Sequence, residues 1–317
     1  MNGNLTLSLI REAHTRIRDR INLTPVMTSA SLDTMAGAQL FFKCENLQKT
    51  GAFKARGATN AVFALSDEQA QHGVATHSSG NHAAALARAA RLRGIPAYIV
   101  MPNSAPAAKQ ASVRRFGGEI ILCQPTLAAR EATACEVVAR TGAALVHPYD
   151  DLRVMAGQGT TALELLEQVP DLDLILCPVG GGGQLSGIAV AAKALNPSIR
   201  VIGVEPAGAD DAARSFKAGQ IIASVNPKTI ADGLLTSLGK APFAEIERHV
   251  DDIVTVSDAA IVRAMRLIWE VMKLVVEPSG AVAYAALVEG AIRSPGLRIA
   301  LILSGGNLDL DTLPWQR

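Results

Sequence analysis

Short apolar runs alternate with longer amphipathic stretches along most of the chain. The runs 39–44 (QLFFKC), 73–77 (GVATH), 97–101 (AYIVM), 119–123 (EIILC), 144–147 (ALVH), 173–179 (DLILCPV), 200–205 (RVIGVE) and 298–303 (RIALIL) are apolar on both faces. That is the pattern of parallel strands covered on both sides of a sheet. Between them apolar positions recur at helical spacing over 81–93, 106–116, 126–141, 152–168, 184–195, 258–273 and 279–292, and a further helix is expected to start near Ala55. Strand–helix alternation of this kind predicts an α/β fold with parallel sheet. Several strands run into Gly- or Ser-rich turns: ATHSSGNHAAA (75–85), CPVGGGGQLSG (177–187) and LILSGGNLD (301–309). Ligands of open α/β sheets bind at the carboxyl ends of the strands, so the three turns predict one shared site. No linker-like stretch marks a domain boundary.

Composition narrows the function classes. Apolar residues make up 49% of 317, enough for a large core without disulfide or metal staples. Charged residues are 19% and the net charge is +1, which gives no reason to expect nucleic acid or an anionic membrane as partner. Cys44, Cys123, Cys135 and Cys177 form no CxxC pair and are expected to be buried free thiols in a reducing compartment. The first residues show no basic segment followed by an apolar stretch, and no apolar run approaches the length of a membrane span. A soluble, cytoplasmic protein is the expectation.

Gly180, Gly181, Gly182 and Gly183 follow a strand and precede a helix. A backbone this free can wrap an anion with its N–H groups, and the helix N-terminus adds to the attraction. The dinucleotide fingerprint fails, because the third glycine position falls on Leu185 or Ser186 depending on the alignment. No GK[ST] follows either, so a phosphate without a nucleotide frame is the sharper reading, against a ligand-free turn. Lys54, in KCENLQKTGAFKARGATN (43–60), sits where a helix starts. A cation is poorly placed there by the helix dipole. An imine-forming lysine tolerates the position, since it needs a depressed pKa; the plain alternative is a solvated charge. Phe53 beside it is able to pack against a flat ring.

These motifs together resemble the fold-type II pyridoxal-phosphate (PLP) enzymes, in particular the serine racemase and serine/threonine dehydratase group. The resemblance is carried by TPVMTSASLD (24–33), KCENLQKTGAFKARGATNAV (43–62), THSSGNHAAALA (76–87), GIPAYIVMP (94–102) and HPYDDLRVMAGQGTTALE (147–164). It continues through CPVGGGGQLSGIA (177–189), VEPAGADDA (204–212), ADGL (231–234), EPSGAV (277–282) and LSGGN (303–307), in family order over nearly the whole chain. It implies a tryptophan-synthase-β-like fold of two open parallel-sheet domains with the cofactor between them. The large PLP-binding domain is expected over 1–72 and 150–317 and a small mobile domain over 73–149. A homodimer acting on a small amino acid is the family expectation.

The resemblance also assigns roles. Lys54 would carry PLP as an imine and act as base at Cα, with Phe53 against the pyridine ring. Asn81 would bond the ring hydroxyl, Gly180 to Gly183 the phosphate, and Ser304 the pyridine nitrogen. Ser78, Ser79, Asn81 and His82 would receive the substrate carboxylate, and Ser79 would be the second proton-transfer group where racemisation occurs. Glu205, the carbonyl of Ala209 and Asp211 match a Mg²⁺ or Mn²⁺ site; an all-oxygen set without Cys or His suits such a hard cation rather than zinc. The implied reaction is α,β-elimination of a β-hydroxy amino acid (serine, threonine or 3-hydroxyaspartate) to a 2-oxo acid and ammonia.

Some positions depart from the family pattern. Ala83 and Ala84 follow His82 where Gly-Gln is common, and GAFK stands for GSFK at 51–54. Ser29, Lys49, Thr50 and Lys109 match part of a regulatory nucleotide site, while Ala30 and Ser31 do not. Glu277 reads as a site-adjacent carboxylate or, favoured by Pro278, as a helix N-terminal acid. Segments RSFKAG (214–219), PKTIADGLL (227–235) and NLDLDTLPW (307–315) resemble bacterial 3-hydroxyaspartate dehydratases. His147, Arg130 and Arg153 are the candidates for reading a second carboxylate. The competing readings are a serine or aspartate racemase with elimination as a side activity, cysteine-synthase-like β-replacement, a PLP-binding regulatory protein without turnover, and a nicotinamide oxidoreductase.

Overall fold

In a computed structural model the described residues are 3–293 and 295–316. The strands are β1 (Val26–Met27), β2 (Gln39–Lys43), β3 (Val74–His77), β4 (Ala97–Pro102), β5 (Glu119–Cys123), β6 (Ala144–Leu145), β7 (Leu174–Pro178), β8 (Arg200–Pro206), β9 (Asp252–Val256) and β10 (Arg298–Ile302). They form two open sheets: a six-stranded one ordered β1-β2-β10-β7-β8-β9 and a four-stranded one ordered β5-β4-β3-β6. Every pairing is parallel except β1 with β2. The α/β architecture expected from the alternation is therefore observed, as two sheets.

Helices cover both faces of each sheet. They are α1 (Leu7–Ile17), α2 (Ala30–Ala36), α3 (Lys54–Phe63), α4 (Asp67–Ala70), α5 (Asn81–Arg93), α6 (Ala107–Arg115), α7 (Leu127–Thr141), α8 (Leu152–Gln168), α9 (Gly183–Leu195), α10 (Asp211–Ala218), α11 (Lys240–His249), α12 (Asp258–Leu267) and α13 (Pro278–Val288). One face of the large sheet packs on α1, α8, α9 and α11 through residues such as Ile10, Leu165, Ile188 and Ile246. The other packs on α2, α12 and α13 through Leu32, Ile261 and Tyr284. In the small sheet the alanines of α5 meet Ala58, Ala61 and Val62 of α3 in one core. Side chains this small let helix axes approach closely.

Several predicted elements are altered. The helix expected over 258–273 stops at Leu267 and continues as a π-helical turn, Ile268–Met272, closed by Lys273 at φ 59°. The helix expected over 279–292 ends at Val288, and the strand at 144–147 pairs only over Ala144–Leu145. Cys44 and Cys177 are buried free thiols as expected, but Cys123 on β5 is only half-buried and Cys135 on α7 is exposed. Among the described residues no helix is long and apolar enough to cross a membrane.

Helix α3 carries Lys54 at its first position and is tied down strongly. Its crossing with α8 is a glycine contact: a Cβ on Gly157 would lie 2.6 Å from Gly57 Cα. Beside that crossing, buried Arg56 donates to both oxygens of Glu45 and both of Glu164, each at 2.7 Å. Buried Lys43 donates to the same Glu164 at 2.8 Å. Two cations and two carboxylates thus pair fully out of water, which is tolerable because every charge has hydrogen-bonded partners.

Candidate active site

The three predicted turns meet where the sheets face one another. Between β7 and α9 the glycine turn is pressed from two sides. A Cβ on Gly181 would stand 2.3 Å from the Tyr149 ring, and one on Gly180 would stand 3.1 Å from Leu234 Cα. Gly182 adopts φ 86°, and α9 starts at the next residue. The result is a side-chain-free backbone curve leading into a helix N-terminus, where N–H groups are free to meet an anion.

Lys54 is placed against this turn by a backbone ladder. Phe53 N–H donates to the Ser304 carbonyl at 3.0 Å, Gly306 N–H to Gly51 at 2.9 Å, and Ala52 bridges Gly305. Lysine and serine therefore ride on adjacent strands of chain. The Lys54 amine donates to the Pro148 carbonyl at 2.9 Å and lies 5.0 Å from the Phe53 ring centroid and 6.0 Å from that of Tyr149. Burial pushes it down to about 8, because desolvation disfavours the ammonium. Ser304 is buried and its hydroxyl donates to the Ser279 carbonyl at 3.3 Å.

At the end of β3, Ser78 and Ser79 lead to Gly80, and α5 opens at Asn81 and His82. The Asn81 amide is held at both ends: Nδ2 donates to Glu277 Oε1 and Oδ1 accepts from Asn307 Nδ2, both at 2.9 Å. Asn307 N–H completes the ring by donating to Glu277 Oε2 at 3.1 Å. Glu277 is thus the site-adjacent carboxylate. It also stands at the N-cap of α13 before Pro278, as the helix N-terminal reading expected, but its side chain makes no cap bond there and turns toward Asn81. Burial, then Asp232, pushes it up to about 8. His82 is buried, and neither ring nitrogen has a partner of hydrogen-bond geometry, although the Val146 carbonyl is near enough to favour protonation slightly. Burial, then Lys54 and His147, hold it well below its usual range.

Of the candidates for a second carboxylate, Arg153 is engaged, pairing with Asp151 at 2.6 and 3.0 Å. His147 lies in the site, its ring 5.2 Å from His77 and 4.6 Å from Tyr149. Arg130 is the fourth residue of α7 and makes no ion pair among the described residues.

Glu205 ends β8 beside Ala209 and Asp211. Its carboxylate accepts the N–H groups of Ala212 and Ala213 at 3.1 and 2.9 Å, and Asp211 Oδ2 accepts that of Leu238 at 2.9 Å. Asp211 Oδ1 is buried without a partner. Burial pushes Glu205 up to about 8 and Asp211 to about 6, each raised further by neighbouring carboxylates. An orphaned carboxylate oxygen beside a second buried carboxyl fits a hard cation, although among the described residues no group of three or more His, Cys, Asp or Glu is assembled for a metal.

Two open parallel sheets, a bare glycine turn at a helix N-terminus and a part-buried lysine bonded to the segment that packs on that turn define an α/β enzyme built around an anionic carbonyl cofactor. The model of the family "Pyridoxal-phosphate dependent enzyme" matches residues 17–305, and the chain belongs to that family. It is 55% identical over 304 residues to a beta-hydroxyaspartate dehydratase of Paracoccus denitrificans (strain Pd 1222), covering 96% of each chain. It is 52% identical to serine racemase of Arabidopsis thaliana over 96% of this chain and 93% of that one. The structure of maize serine racemase superposes with a TM-score of 0.96 at 50% identity, covering 99% of this chain and 97% of that one. Tyr149, Pro148 and Asn307 were not singled out from the sequence. Only their places inside the matched segments HPYDD and LSGGN pointed to them.

Proposed function

We propose that the chain is a PLP-dependent dehydratase that takes a small β-hydroxy amino acid, 3-hydroxyaspartate foremost, to a 2-oxo acid and ammonia. The observation that carries this reading is the part-buried Lys54 amine, held 2.9 Å from the Pro148 carbonyl in the segment whose Tyr149 packs on the glycine turn. The identity with the beta-hydroxyaspartate dehydratase supports the choice of substrate. When bound, PLP supplies the electron sink that acidifies the substrate Cα–H.

The chain's own groups divide the remaining work. Gly180 to Gly183 would hold the phosphate with backbone N–H groups, Phe53 would pack on the ring, and Asn81 would offer its amide to the ring hydroxyl. Ser304 presents a neutral hydroxyl to the ring nitrogen. Ser78, Ser79, Asn81 and His82 receive the substrate carboxylate at the start of α5. Lys54 Nζ takes the Cα proton, and a pKa near 8 suits a base working at neutral pH. A second carboxylate needs a cation, and of the two arginine candidates Arg130 is the one without an ion pair among the described residues. Glu205, the Ala209 carbonyl and Asp211 hold Mg²⁺ or Mn²⁺, which orders that turn. Residues 73–149 form the smaller mobile domain, residues 1–72 and 150–317 the large one, and the enzyme works as a cytoplasmic homodimer.

Racemisation of serine or aspartate is the second reading. It is favoured by the identity with serine racemase and by Ser79, a second proton carrier at the helix start.

Release of 2-oxo acid and ammonia from the serine, threonine and 3-hydroxyaspartate isomers is the test, with borohydride reduction and peptide mapping on the same sample. The label is expected on Lys54, and Lys54→Ala should lose roughly 10²–10⁴-fold or more in rate. Active protein reduced without label at Lys54 would overturn the reading.

A further inference from the structure

The segment 147–151 (HPYDD) joins β6 to α8 and touches most parts of the site. Its shape depends on one ring nitrogen. His147 Nδ1 accepts the N–H of Asp150 at 2.9 Å and, more weakly, that of Tyr149 at 3.4 Å. These bonds close a tight turn with Pro148 inside it, and the Pro148 carbonyl is the group that accepts from Lys54 Nζ at 2.9 Å. The next residue lays its ring across Gly181, within 2.3 Å of where a Cβ would be. The two aspartates anchor the far end. Asp150 accepts from Lys240 and Ala241 N–H at the start of α11, at 3.2 and 2.8 Å, and Asp151 caps α8 through Arg153 N–H at 2.8 Å. At the near end Val146 N–H is tied to the Ala75 carbonyl at 2.9 Å, and the imidazole closes the turn itself.

We infer that His147 is a positioning residue for Lys54: its Nδ1 folds the 147–150 turn that aims the Pro148 carbonyl at the lysine amine and lays Tyr149 over the glycine turn. The inference rests on the reading of Lys54 as the cofactor-bearing base. An amine that gives one N–H to Pro148 has its lone pair directed away from that carbonyl, so the turn sets the direction in which Lys54 reaches for a proton. Near-attack geometry of this kind is where a misplacement of about 1 Å costs on the order of 10²-fold in rate.

Only an imidazole without a proton on Nδ1 accepts there. The groups facing it are His77 from β3, Lys54 from α3, His82 from α5, and Asp150, Asp151 and Tyr149 from its own segment. Burial and then His77 outweigh the two aspartates and hold it down to about 4. The acceptor therefore persists through neutral pH.

The test uses the fact that an asparagine carbonyl accepts the N–H groups two and three residues on, as an Asx turn. A leucine has no acceptor. Amide exchange at Tyr149 and Asp150 is read in the cofactor-free chain, and kcat and KM for elimination in the holoenzyme. His147→Leu should speed exchange at both amides and lower kcat on the order of 10²-fold, with KM changed by no more than about two-fold. His147→Asn should return both readouts to within about three-fold of the parent. If His147→Leu fails to fold, His147→Gln gives the same contrast, because its carbonyl is one methylene too distant to close the turn.

A leucine variant with parental kcat and exchange, or an asparagine variant as impaired as the leucine one, would overturn the inference. Borohydride labelling of Lys54 separates the two levels. A missing label in the parent sinks the cofactor reading and this one with it. A label accompanied by indistinguishable variants sinks this one alone.

Discussion

His77, His82 and His147 lie together at the end of β3, and each is held below its usual range, by burial first in all three. For a base, a depressed folded-state pKa means that the unfolded chain binds more protons between the two values. Stability therefore rises with pH across that window and is lost as pH falls through it. For His147 the window runs from about 6.5 down to about 4. His147→Asn keeps the turn and removes this titration, while His77 and His82 remain in both proteins, with one neighbouring imidazole fewer in the variant. The unfolding free energy of the parent minus that of His147→Asn should therefore grow by roughly 2–3 kcal/mol from pH 4 to 6.5, at about 1.4 kcal/mol per pKa unit. Urea midpoints taken across this range check it, and a pH-independent difference would show that the imidazole is not buried neutral.

At the scale of elements, α3 is held by charges that its own sequence does not advertise. Arg56, two residues beyond Lys54, spends its guanidinium on Glu45 before α3 and on Glu164 of α8. Removing the cation would strand buried Glu45 and leave Glu164 with Lys43 alone, so Arg56→Met should destabilise by about 3–5 kcal/mol in chemical denaturation. Removing Glu45, Glu164, Lys43 and Arg56 together in favour of apolar residues should cost much less. An Arg56→Met loss below about 1 kcal/mol would mean that water reaches the cluster.

This cluster marks where reading the sequence stops. Helices α5 and α8 were legible to the residue, because caps and periodicity are local. The glycine turn was legible as a strand-to-helix turn because four glycines in a row announce one, whereas the roles given to Lys54 and Ser304 rest on the resemblance. Arg56 in KARG reads like any surface charge, since its partners are far away in sequence. Strand β9 was missed because DIVTV is short, charged at its start and alternates in burial at a sheet edge. The π-turn at 268–272 leaves apolar periodicity nearly intact and so has no signal of its own. Pro148 acts through its carbonyl, a group every residue owns, and no residue-type argument finds it.

Across the whole molecule, the two acidic groups at the end of β8 are mechanically linked to the glycine turn. Asp211 Oδ2 holds Leu238 N–H at 2.9 Å, and the next residue, Gly239, donates its N–H to the Gly181 carbonyl at 3.2 Å. The Leu238 side chain also presses on Gly182, where a Cβ would stand 2.7 Å from its Cδ1. A divalent cation on Glu205, the Ala209 carbonyl and Asp211 would relieve the repulsion between the carboxylates and stiffen this link. Coupling between two sites is reciprocal, so Mg²⁺ should tighten retention of pyridoxal phosphate by at least about five-fold, and the cofactor should tighten Mg²⁺ by the same factor. Equilibrium dialysis with Mg²⁺ against a chelator measures the first, and calorimetric titration of metal into cofactor-loaded and cofactor-free protein the second. Asp211→Asn should abolish both, because it weakens the metal ligand while leaving a carbonyl to hold Leu238. A rise in thermal stability with Mg²⁺ and no change in cofactor affinity would mean that the cation orders its own turn and that the strain ends at Leu238.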